Sequence, residues 1–413
     1  MIYHLFDFLE KNYEFTGASL FQFITFRTGI AILISLIISL IFGGKIIKKI
    51  QNFQVLEKQR ALGLPGEQLK GKTPTMGGII IIMAILIPTL LMADLTNVYI
   101  QLLLLCSVWM GMFGFLDDYL KLKRGKDGLA GRYKILGQVG LGIIVGAVMF
   151  FSDKVTVRMD KAQVDKYNYE VISEVIDAET GEISYNVKTT LTNLPFLKGG
   201  SFDYGDILFF LGESSQHLAW IIFIPLVVFI VTAVSNAANL TDGLDGLATG
   251  TSAIIVTTLG ILTYVSGNSI FSEYLGILYI PDSAELVIFI GGFLGACLGF
   301  LWYNSYPAKI FMGDTGSLTL GGIIAALAII IRKEWLIPIL CGVFLAENLS
   351  VILQVAYFKY TKKKYGEGRR IFLMSPLHHH YQKKGWHEVT IVTRFWIVGI
   401  ILAVLTIITL KLR

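Results

Sequence analysis

A polar stretch at positions 236–248, NAANLTDGLDGLA, separates two long apolar runs. Asn236 and Asn239 are three residues apart, as are Asp242 and Asp245, and residues three apart share a face of a helix. An ionisable residue at membrane depth costs roughly 2.5–3.5 kcal/mol on insertion scales, so carboxylates in such a position are candidates for function. A polar hinge between two helices is the alternative interpretation.

Two neighbouring aspartates end another apolar run, in the segment FGFLDDYLKL. Side chains of adjacent helical residues point in different directions, so Asp117 and Asp118 are expected to have different roles. Lys121 follows one helical turn later. An exposed aspartate–lysine pair, which contributes little to stability, is therefore the alternative to a catalytic role.

A single aspartate, Asp314, lies between glycines in the segment IFMGDTGS, just before an apolar run. This pattern is typical of a loop that opens a helix, where exposed backbone N–H groups favour a phosphate. A carboxylate there could hold Mg²⁺, which prefers one or two carboxylates together with phosphate oxygens and water. A tight glycine turn is the alternative. Phe311 could stack on a nucleobase or pack in the core.

Three consecutive histidines, His378, His379 and His380, lie in a basic segment near the end of the chain. Consecutive residues cannot all face one ligand from a helix. Lys383 and Lys384 follow shortly after, which favours a role for this segment in contacting phosphate. A solvated polar loop and a transition-metal site are alternatives, although the oxygen-rich motifs elsewhere suit Mg²⁺ better.

The elements that carry these motifs are predicted to be membrane-spanning helices. The hydrophobic fraction is 54%, only 16% of residues are charged, and the mean hydropathy is +0.65, which is too apolar for a soluble domain of this length. About ten apolar runs are long enough to cross a ~30 Å hydrocarbon core as helices. We therefore expect an all-α polytopic membrane protein that forms a single integral-membrane domain, residues 1–413.

One segment, residues 152–217, departs from this pattern between the fourth and fifth predicted spans. The stretches KVTVRM and ISYNVKTTL alternate in polarity, and ETGE precedes the second stretch as a turn signal. We expect a water-exposed insertion that contains a small β-hairpin.

The distribution of basic residues predicts the orientation of the chain. Loops after the odd-numbered spans hold most of the lysines and arginines outside the long excursion, which indicates that they are cytoplasmic. Both termini and the hairpin are then periplasmic. The motifs described above and the segment Lys70–Thr75 all lie in odd-numbered loops, so five loops on one membrane face could converge on one site.

Carboxylates, amides and lysines that meet at a membrane surface are typical of a site for Mg²⁺ and a diphosphate. Such a site suits phosphoryl transfer, in which the metal neutralises the leaving diphosphate and positions the attacking oxygen. An acceptor that resides in the bilayer would explain why the enzyme does too. No nucleic-acid partner is expected.

Five segments together resemble one enzyme family: KTPTMGG, FGFLDDYLKL, NAANLTDGLDGLA, YPAKIFMGDTGS and MSPLHHHYQKKGW. The chain is similar over nearly its whole length to the phospho-N-acetylmuramoyl-pentapeptide transferases (translocase I), a branch of the polyprenyl-phosphate N-acetylhexosamine-1-phosphate transferases. The aspartate motifs are shared across that superfamily, whereas the histidine segment resembles the muramoyl-pentapeptide branch. The long excursion is a departure, since many relatives have a shorter loop there.

The resemblance implies a reaction and its setting. UDP-MurNAc-pentapeptide and undecaprenyl phosphate would give lipid I and UMP with Mg²⁺, in the first membrane step of peptidoglycan synthesis. The protein would be a multi-pass component of the bacterial inner membrane, surrounded by membrane lipids, with its active site on the cytoplasmic face. The resemblance also leaves a homodimer open as the assembly.

The resemblance further implies roles for individual residues. Asp314 would be the Mg²⁺ ligand, Asp117 would act on the lipid phosphate as a base or orienting group, and Asp118 would support the site near the diphosphate. The uridine would be held by Lys70, Asn304, Phe311 and Asp245. The remaining substrate-binding residues would line the same cleft or contact the sugar-phosphate side: Thr75, Lys134, Asn236, Asn239, Asp242, His378, His379 and His380.

Other functions remain open from the sequence. A sister enzyme that uses UDP-GlcNAc would carry the same chemistry on another sugar. A transporter would place polar breaks near the bilayer midplane and show internal repeats, whereas these motifs lie at one face and no repeat is evident. A non-catalytic membrane scaffold would not need this many aspartates on one face. The sequence also leaves open direct attack by the lipid phosphate, which we favour, and an aspartyl-phosphate intermediate.

Overall fold

The computed structural model describes residues 1–52, 73–124, 128–167, 169–176, 181–196 and 200–410. Most of this part of the chain is helical. The helices are α1 (Ile2–Tyr13), α2 (Ile24–Asn52), α3 (Gly78–Met92), α4 (Val98–Arg124), α5 (Gly131–Phe151), α6 (Lys161–Tyr167), α7 (Trp220–Thr241), α8 (Leu247–Ser266), α9 (Ser269–Leu275), α10 (Leu286–Asn304), α11 (Gly313–Ile330), α12 (Ile337–Leu340), α13 (Gly342–Tyr365), α14 (Leu377–Lys383) and α15 (Glu388–Ile408).

Within the described residues, eight helices are long and apolar enough to cross a membrane: α2, α4, α5, α7, α8, α10, α11 and α15. A ninth span would combine the segment Glu334–Leu340 with α13, which meet at a bend of 77°. The apolar helix α3 is shorter than these spans. The all-α polytopic architecture is confirmed, and the count of about ten spans stays a prediction.

Helix α11 forms the centre of the bundle, because it packs against α3, α4, α7 and α8 and is almost entirely buried. Two glycines let neighbouring helices approach its first turn. A Cβ atom on Gly78 of α3 would meet the backbone of Gly316, and one on Gly114 of α4 would meet the backbone of Asp314. Small residues at helix contacts permit such close approach in membrane proteins. The start of α11, which carries Asp314, is therefore held tightly between two spans.

Residues 152–217 form the expected excursion, with a larger sheet than the predicted hairpin. The strands are β1 (Val157–Asp160), β2 (Glu170–Ile176), β3 (Ile183–Lys188), β4 (Thr192–Asn193) and β5 (Ser201–Phe202). The first three form an antiparallel sheet in the order β1-β3-β2, and β4 pairs with β5. The two alternating stretches correspond to β1 and β3, and β2 supplies the hairpin partner of β3. The first two residues of the predicted ETGE turn lie outside the described residues.

A buried carboxylate fixes the fold of the excursion. Asp203 accepts hydrogen bonds from the Tyr169 hydroxyl at 2.7 Å, the Thr190 hydroxyl at 2.6 Å and the Gly205 backbone N–H at 2.8 Å. Burial, and then the neighbouring Asp203 carboxylate, raise the pKa of Tyr169 well above its usual value. The Tyr169 hydroxyl therefore stays protonated and donates to Asp203.

The polar loops divide between two ends of the bundle. At the excursion end, defined by the loops at Asp94, Tyr279 and Arg332, the N-terminal ammonium donates to Leu90 O and the backbone of Arg158 pairs with Tyr279. At the opposite, motif end lie the polar motifs of the odd-numbered loops. The contacts agree with the predicted parity of the loops, and the assignment of the two ends to periplasm and cytoplasm stays a prediction.

A buried ion pair ties three helices together at the excursion end. The Arg27 guanidinium of α2 binds Glu285, which immediately precedes α10, through Nη1–Oε1 at 2.5 Å and Nη2–Oε2 at 2.9 Å. Arg27 also donates to Met92 O at the end of α3, and Glu285 accepts from the Asp94 backbone N–H. Both charges are compensated by several partners, which is the condition for burying an ion pair without a large cost.

We expect Arg27→Ala to destabilise the protein by about 3–5 kcal/mol, because the variant leaves the Glu285 carboxylate buried without its cation. Thermal unfolding of the purified protein in detergent measures the effect as a lower Tm. The control is Lys11→Ala, which breaks the exposed pair with Asp7 and should leave the Tm unchanged. An equal Tm for Arg27→Ala and wild type would contradict this account of the bundle.

Candidate active site

Three aspartates meet at the motif end of the bundle. Asp117 and Asp118 lie in the last turns of α4, and Asp314 lies in the first turn of α11. One carboxylate oxygen from each lies within 4.8 Å of the others. All three side chains are buried, with Asp117 fully enclosed and Asp314 8% exposed. Two motifs almost two hundred positions apart in the chain therefore form one carboxylate cluster, as the loop parity predicted.

Asp118 caps the first turn of α11. Its carboxylate accepts hydrogen bonds from the backbone N–H groups of Asp314 at 3.1 Å and Thr315 at 2.9 Å, and from the Thr315 hydroxyl at 2.6 Å. The first N–H groups of a helix have no partner within the helix, and a carboxylate there also complements the helix dipole. Asp118 therefore fixes the position of Asp314, whereas Asp117 points elsewhere.

Two lysines bridge Asp117 and Asp314. Lys121 Nζ lies 2.8 Å from Asp117 Oδ2 and 3.1 Å from Asp314 Oδ1. Lys134 Nζ lies 3.0 Å from Asp117 Oδ2 and also binds Asp314 Oδ2. The other oxygen of Asp117 accepts from the Leu129 backbone N–H at 2.7 Å. Because Asp117 is fully buried, the exposed-pair interpretation of Lys121 does not apply, and Lys121 is a site residue that the sequence reasoning missed.

The two asparagines of the polar stretch lie on one face of α7 at different depths. Asn239 Nδ2 donates to Asp314 Oδ1 and to Ser317 Oγ, each at 2.9 Å, so this amide belongs to the cluster. One turn earlier, Asn236 exchanges hydrogen bonds with the Gln138 amide of α5. Asn236 thus joins two helices below the cluster in this structure.

The donor set of the cluster fits a magnesium ion. Buried carboxylate oxygens close to one another are hard ligands of the kind that Mg²⁺ prefers. Beside them, the Thr75 hydroxyl is buried and has no hydrogen-bond partner among the described residues. A Cβ atom on Gly313 would meet both the Thr75 hydroxyl and the Asp118 carboxylate. Thr75 therefore offers a further oxygen directly beside the aspartates.

A second group of predicted residues connects two loops at the motif end. Asp245 Oδ2 accepts from the Ala308 backbone N–H at 2.9 Å. Asn304 accepts from the Gly246 N–H and the Thr249 hydroxyl, both at 3.1 Å, and donates to Ile310 O at 2.9 Å. These contacts join the loop after α7 to the loop before α11, and so set the shape of the cleft between them.

Two further predicted residues, Asp242 and Phe311, lie in the same loops, and a third is outside the described part of the chain. Asp242 ends α7 and is partly exposed, and Phe311 is partly exposed beside the start of α11. The backbone of Phe311 bonds with Pro74 and Gly77, which brings the KTPTMGG segment to the site. Lys70 lies outside the described residues.

The three histidines face different partners, as their consecutive positions indicated. His378 is fully buried, with its backbone N–H and Nδ1 3.2 and 3.1 Å from the carboxylate of Glu347 in α13. Its ring faces Gly243, where an added Cβ atom would collide with Nε2. His379 Nδ1 contacts Gln382 at 2.7 Å.

The ring of His380 bonds to the segment before α14, not to the loop after α7. Its Nδ1 accepts from the Leu373 backbone N–H at 3.1 Å. Burial, and then the Lys384 ammonium, lower the pKa of His380, which favours the neutral ring that this bond requires. Of the three rings, that of His378 lies against Gly243, in the loop after α7.

Glu347 is the second site residue that the sequence reasoning missed. It is fully buried in α13, and both of its carboxylate oxygens accept a hydrogen bond from the backbone N–H of His378, at 3.2 and 3.4 Å. The available signal was an acidic residue in an apolar run, in the segment FLAENLSV. An ionisable residue in such a position is a functional candidate by default.

The arrangement has the groups that binding a metal-diphosphate requires. Oxygen ligands come from three aspartates, cations come from Lys121 and Lys134, and the start of α11 supplies the positive end of a helix dipole. All of them lie at the ends of spanning helices, where a soluble ligand and a lipid could meet.

We expect Asp118→Ala to destabilise the protein by roughly 1–2 kcal/mol even without metal, because the first turn of α11 loses its cap. Thr315→Val should lower the Tm by a smaller amount, since it removes one of the three donors. Thr315→Ser keeps that hydroxyl and is the matched control, with a Tm close to wild type. A Tm for Asp118→Ala equal to wild type in Mg²⁺-free buffer would exclude the capping role.

Comparison with known proteins agrees with this geometry. Residues 181–332 match the family model described as Glycosyl transferase family 4, and this range includes Asp242, Asp245 and Asp314. The chain is 59% identical to the phospho-N-acetylmuramoyl-pentapeptide-transferase of Flavobacterium psychrophilum, 57% to that of Flavobacterium johnsoniae and 55% to that of Parabacteroides distasonis. Each alignment covers 100% of both chains. The chain therefore belongs to the phospho-N-acetylmuramoyl-pentapeptide-transferase family.

Proposed function

We propose that this protein transfers phospho-MurNAc-pentapeptide from UDP-MurNAc-pentapeptide to undecaprenyl phosphate, which gives lipid I and UMP. The observation that carries the proposal is the cluster of Asp117, Asp118 and Asp314 at the ends of spanning helices, in a chain similar along its entire length to phospho-N-acetylmuramoyl-pentapeptide-transferases. Such a cluster places polar chemistry beside a lipid phase, as a reaction between a soluble nucleotide sugar and a lipid phosphate requires.

We propose Mg²⁺ as the cofactor, held by Asp314 together with oxygens of the neighbouring aspartates. Bound there, the metal would neutralise the charge that develops on the leaving UMP. The geometry supports this choice, since the Asp118 carboxylate accepts three hydrogen bonds from the first turn of α11 and so fixes the backbone that carries the Asp314 carboxylate. Lys121 and Lys134 would hold the phosphate oxygens that the metal does not contact.

Asp117 is proposed to act on the lipid phosphate. The Leu129 N–H holds one of its oxygens, and the other faces both lysines, so the carboxylate is oriented toward the same space as Asp314. It can accept a proton from the attacking phosphate or orient that phosphate. We favour direct attack of the lipid phosphate on the donor diphosphate, and isolation of a protein phosphorylated on Asp117 during turnover would contradict this.

The donor nucleotide is proposed to lie over the two connected loops. Asp245 and Asn304 hold these loops in position, and Phe311, partly exposed beside them, can stack on the uracil. Lys70 is assigned to the uridine by the family motif alone. The histidine run is proposed to contact the sugar-phosphate side, although His378 is buried against Glu347 and His380 accepts from the Leu373 N–H. The remaining residues proposed to line the cleft are Thr75, Lys134, Asn236, Asn239 and Asp242.

The acceptor tail is proposed to lie in an apolar groove between α7 and the bent span formed by α12 and α13. The groove encloses a cavity of about 200 Å³. On α7 its lining runs from Leu226 to Ala237, a distance of about 16 Å along the helix axis. Ala237 lies about 3 Å before Asn239 along the helix axis, on a different face of α7, and Asn239 binds Asp314. The groove therefore reaches the depth of the aspartate cluster, and we propose that the lipid phosphate extends from its end to the aspartates.

The setting of the reaction follows from this placement. We propose that the protein is a multi-pass protein of the bacterial inner membrane, with the motif end in the cytoplasm, both termini in the periplasm and residues 152–217 as a periplasmic insertion. A homodimer is the proposed assembly. These assignments rest on the basic loops and on the family.

The decisive experiment measures UMP release by the purified protein in detergent, with undecaprenyl phosphate and Mg²⁺. We expect UMP from UDP-MurNAc-pentapeptide and none from UDP-GlcNAc. Release from UDP-GlcNAc alone would keep the chemistry and change the sugar donor. Absence of UMP with both donors, from a folded and lipid-supplied sample, would refute the proposed transferase activity.

Asp314→Ala should reduce UMP release by about a hundredfold to a thousandfold, a loss of the size expected when a group that stabilises the transition-state charge is removed. The protein should remain folded, which size-exclusion chromatography checks. Asp153→Ala is the matched control, because this exposed aspartate pairs only with Lys188 at the excursion end among the described contacts and should leave the rate unchanged. Normal turnover of Asp314→Ala at saturating Mg²⁺ would exclude the proposed metal ligand.

A further inference from the structure

The groove between α7 and the bent span is closed at the excursion end by the turn Glu334–Leu336. Glu334 and Trp335 line the groove there, followed by Ile337 and Pro338 of α12. Because the chain bends by 77° between this segment and α13, helix continuity does not fix where the turn lies. Contacts from outside the span must therefore set this wall of the groove.

The backbone N–H groups of Arg332 and Lys333 bond to the end of α11, and further contacts come from the excursion. The backbone carbonyl of Arg332, just before the turn, accepts from the Asn193 N–H and the Thr192 hydroxyl of β4, each at 3.2 Å. The Arg332 guanidinium donates to Thr189 O at 2.9 Å, and the buried Lys333 ammonium binds the Asn193 side chain. The periplasmic insertion therefore holds the chain that leads into the groove wall.

Tyr204 connects the excursion to both walls of the groove. Its hydroxyl donates to Glu334 Oε1 at 2.8 Å and accepts from Trp335 Nε1 at 2.9 Å. Its ring packs against Phe223 of α7, with the centroids 5.6 Å apart. Tyr204 is 1% exposed and does not line the groove itself, so it acts on the groove only through these neighbours.

The position of Tyr204 is fixed within the excursion. The preceding residue, Asp203, is held by the hydroxyls of Tyr169 and Thr190, and it binds the Gly205 N–H that follows. Burial, and then the Glu334 carboxylate, raise the pKa of Tyr204, which keeps its hydroxyl available as a donor. A buried carboxylate requires such a donor, because an unpaired one is strongly destabilising.

We propose that Tyr204 is a positioning residue for the lipid acceptor: through Glu334 and Trp335 it fixes the far end of the groove and so favours acceptors long enough to reach it. The inference rests on the proposed function and adds a residue of the excursion to it. An acceptor with a short chain would place its phosphate at the aspartates without reaching Trp335. Its binding would therefore not depend on Tyr204.

The test compares two acceptors in the UMP-release assay. Undecaprenyl phosphate reaches the far end, whereas farnesyl phosphate, measured both as acceptor and as competitor, ends before it. For Tyr204→Phe we expect the KM for undecaprenyl phosphate to rise about threefold to tenfold, the size of one lost hydrogen bond. The kcat and the inhibition constant of farnesyl phosphate should stay unchanged.

Tyr185→Phe is the matched control, since it also removes a tyrosine hydroxyl from the excursion but lies in β3 and has no described contact with Asp203, Tyr204 or the turn Glu334–Leu336. It should change neither the KM for undecaprenyl phosphate nor the inhibition constant of farnesyl phosphate. The same selective rise in Tyr185→Phe would show that general packing of the excursion is responsible, and would overturn the role of Tyr204. An equal change for both acceptors, or no change, would overturn it as well.

A second variant keeps the inference testable if Tyr204→Phe does not fold. Trp335→Phe removes the indole N–H bond to Tyr204 while it keeps an aromatic ring at this exposed position, and the same selective rise in KM is expected. Wild-type turnover separates the two proposals. No UMP from the wild-type protein would refute the proposed function, whereas normal wild-type turnover with an unchanged acceptor preference in both variants would refute only this inference.

Discussion

The bonds from Asp118 to the first turn of α11 are the constraint on which the candidate site depends. They satisfy backbone N–H groups that would otherwise be buried without partners, and they place Asp314 beside Asp117. The glycines of α3 and α4 allow α11 to come close enough for these bonds to form. The carboxylate cluster is therefore a consequence of helix packing at the centre of the bundle. Asp118 is both the cap of α11 and a member of the cluster.

The cluster also explains why two lysines accompany the aspartates. Three carboxylates in a buried space repel one another, and burial of an unpaired charge is costly. Lys121 and Lys134 compensate Asp117 and Asp314 directly. The same ammonium groups can bind phosphate oxygens. The residues that compensate the buried carboxylates are therefore also suited to binding a diphosphate.

Much of the fold follows from the sequence because hydrophobic runs mark the spans. The predicted apolar runs correspond to helices in the described part of the chain, one of them to a bent pair. The motifs predicted to share one membrane face lie together at one end of the bundle. The strand β2 was not predicted, since EVISEVI is exposed along most of its length and its alternation carries no burial signal. Hydropathy does not reveal the 77° bend before α13, because the two segments together have the length and composition of one apolar span.

The residues of the site were predicted less completely, for a physical reason. A motif shows which side chains are polar but not which partner satisfies them. Lys121 looked like the exposed partner of Asp117, yet it contacts an aspartate from a distant helix. Glu347 belongs to no motif, and only the three-dimensional structure pairs it with His378.

Polar residues of a single motif also differ in their partners. Asn236 and Asn239 lie on one face of α7, as their spacing predicted, but one turn of helix separates an amide that joins two spans from an amide that binds Asp314.

Asp245 and Asn304, assigned to the uridine by the family, are occupied by backbone groups of the loops that border the cleft. A substitution at either position would therefore move the loops as well as remove a polar contact. The effect on nucleotide binding would then reflect the shape of the cleft, and a loss of affinity alone would not show that either side chain touches the nucleotide.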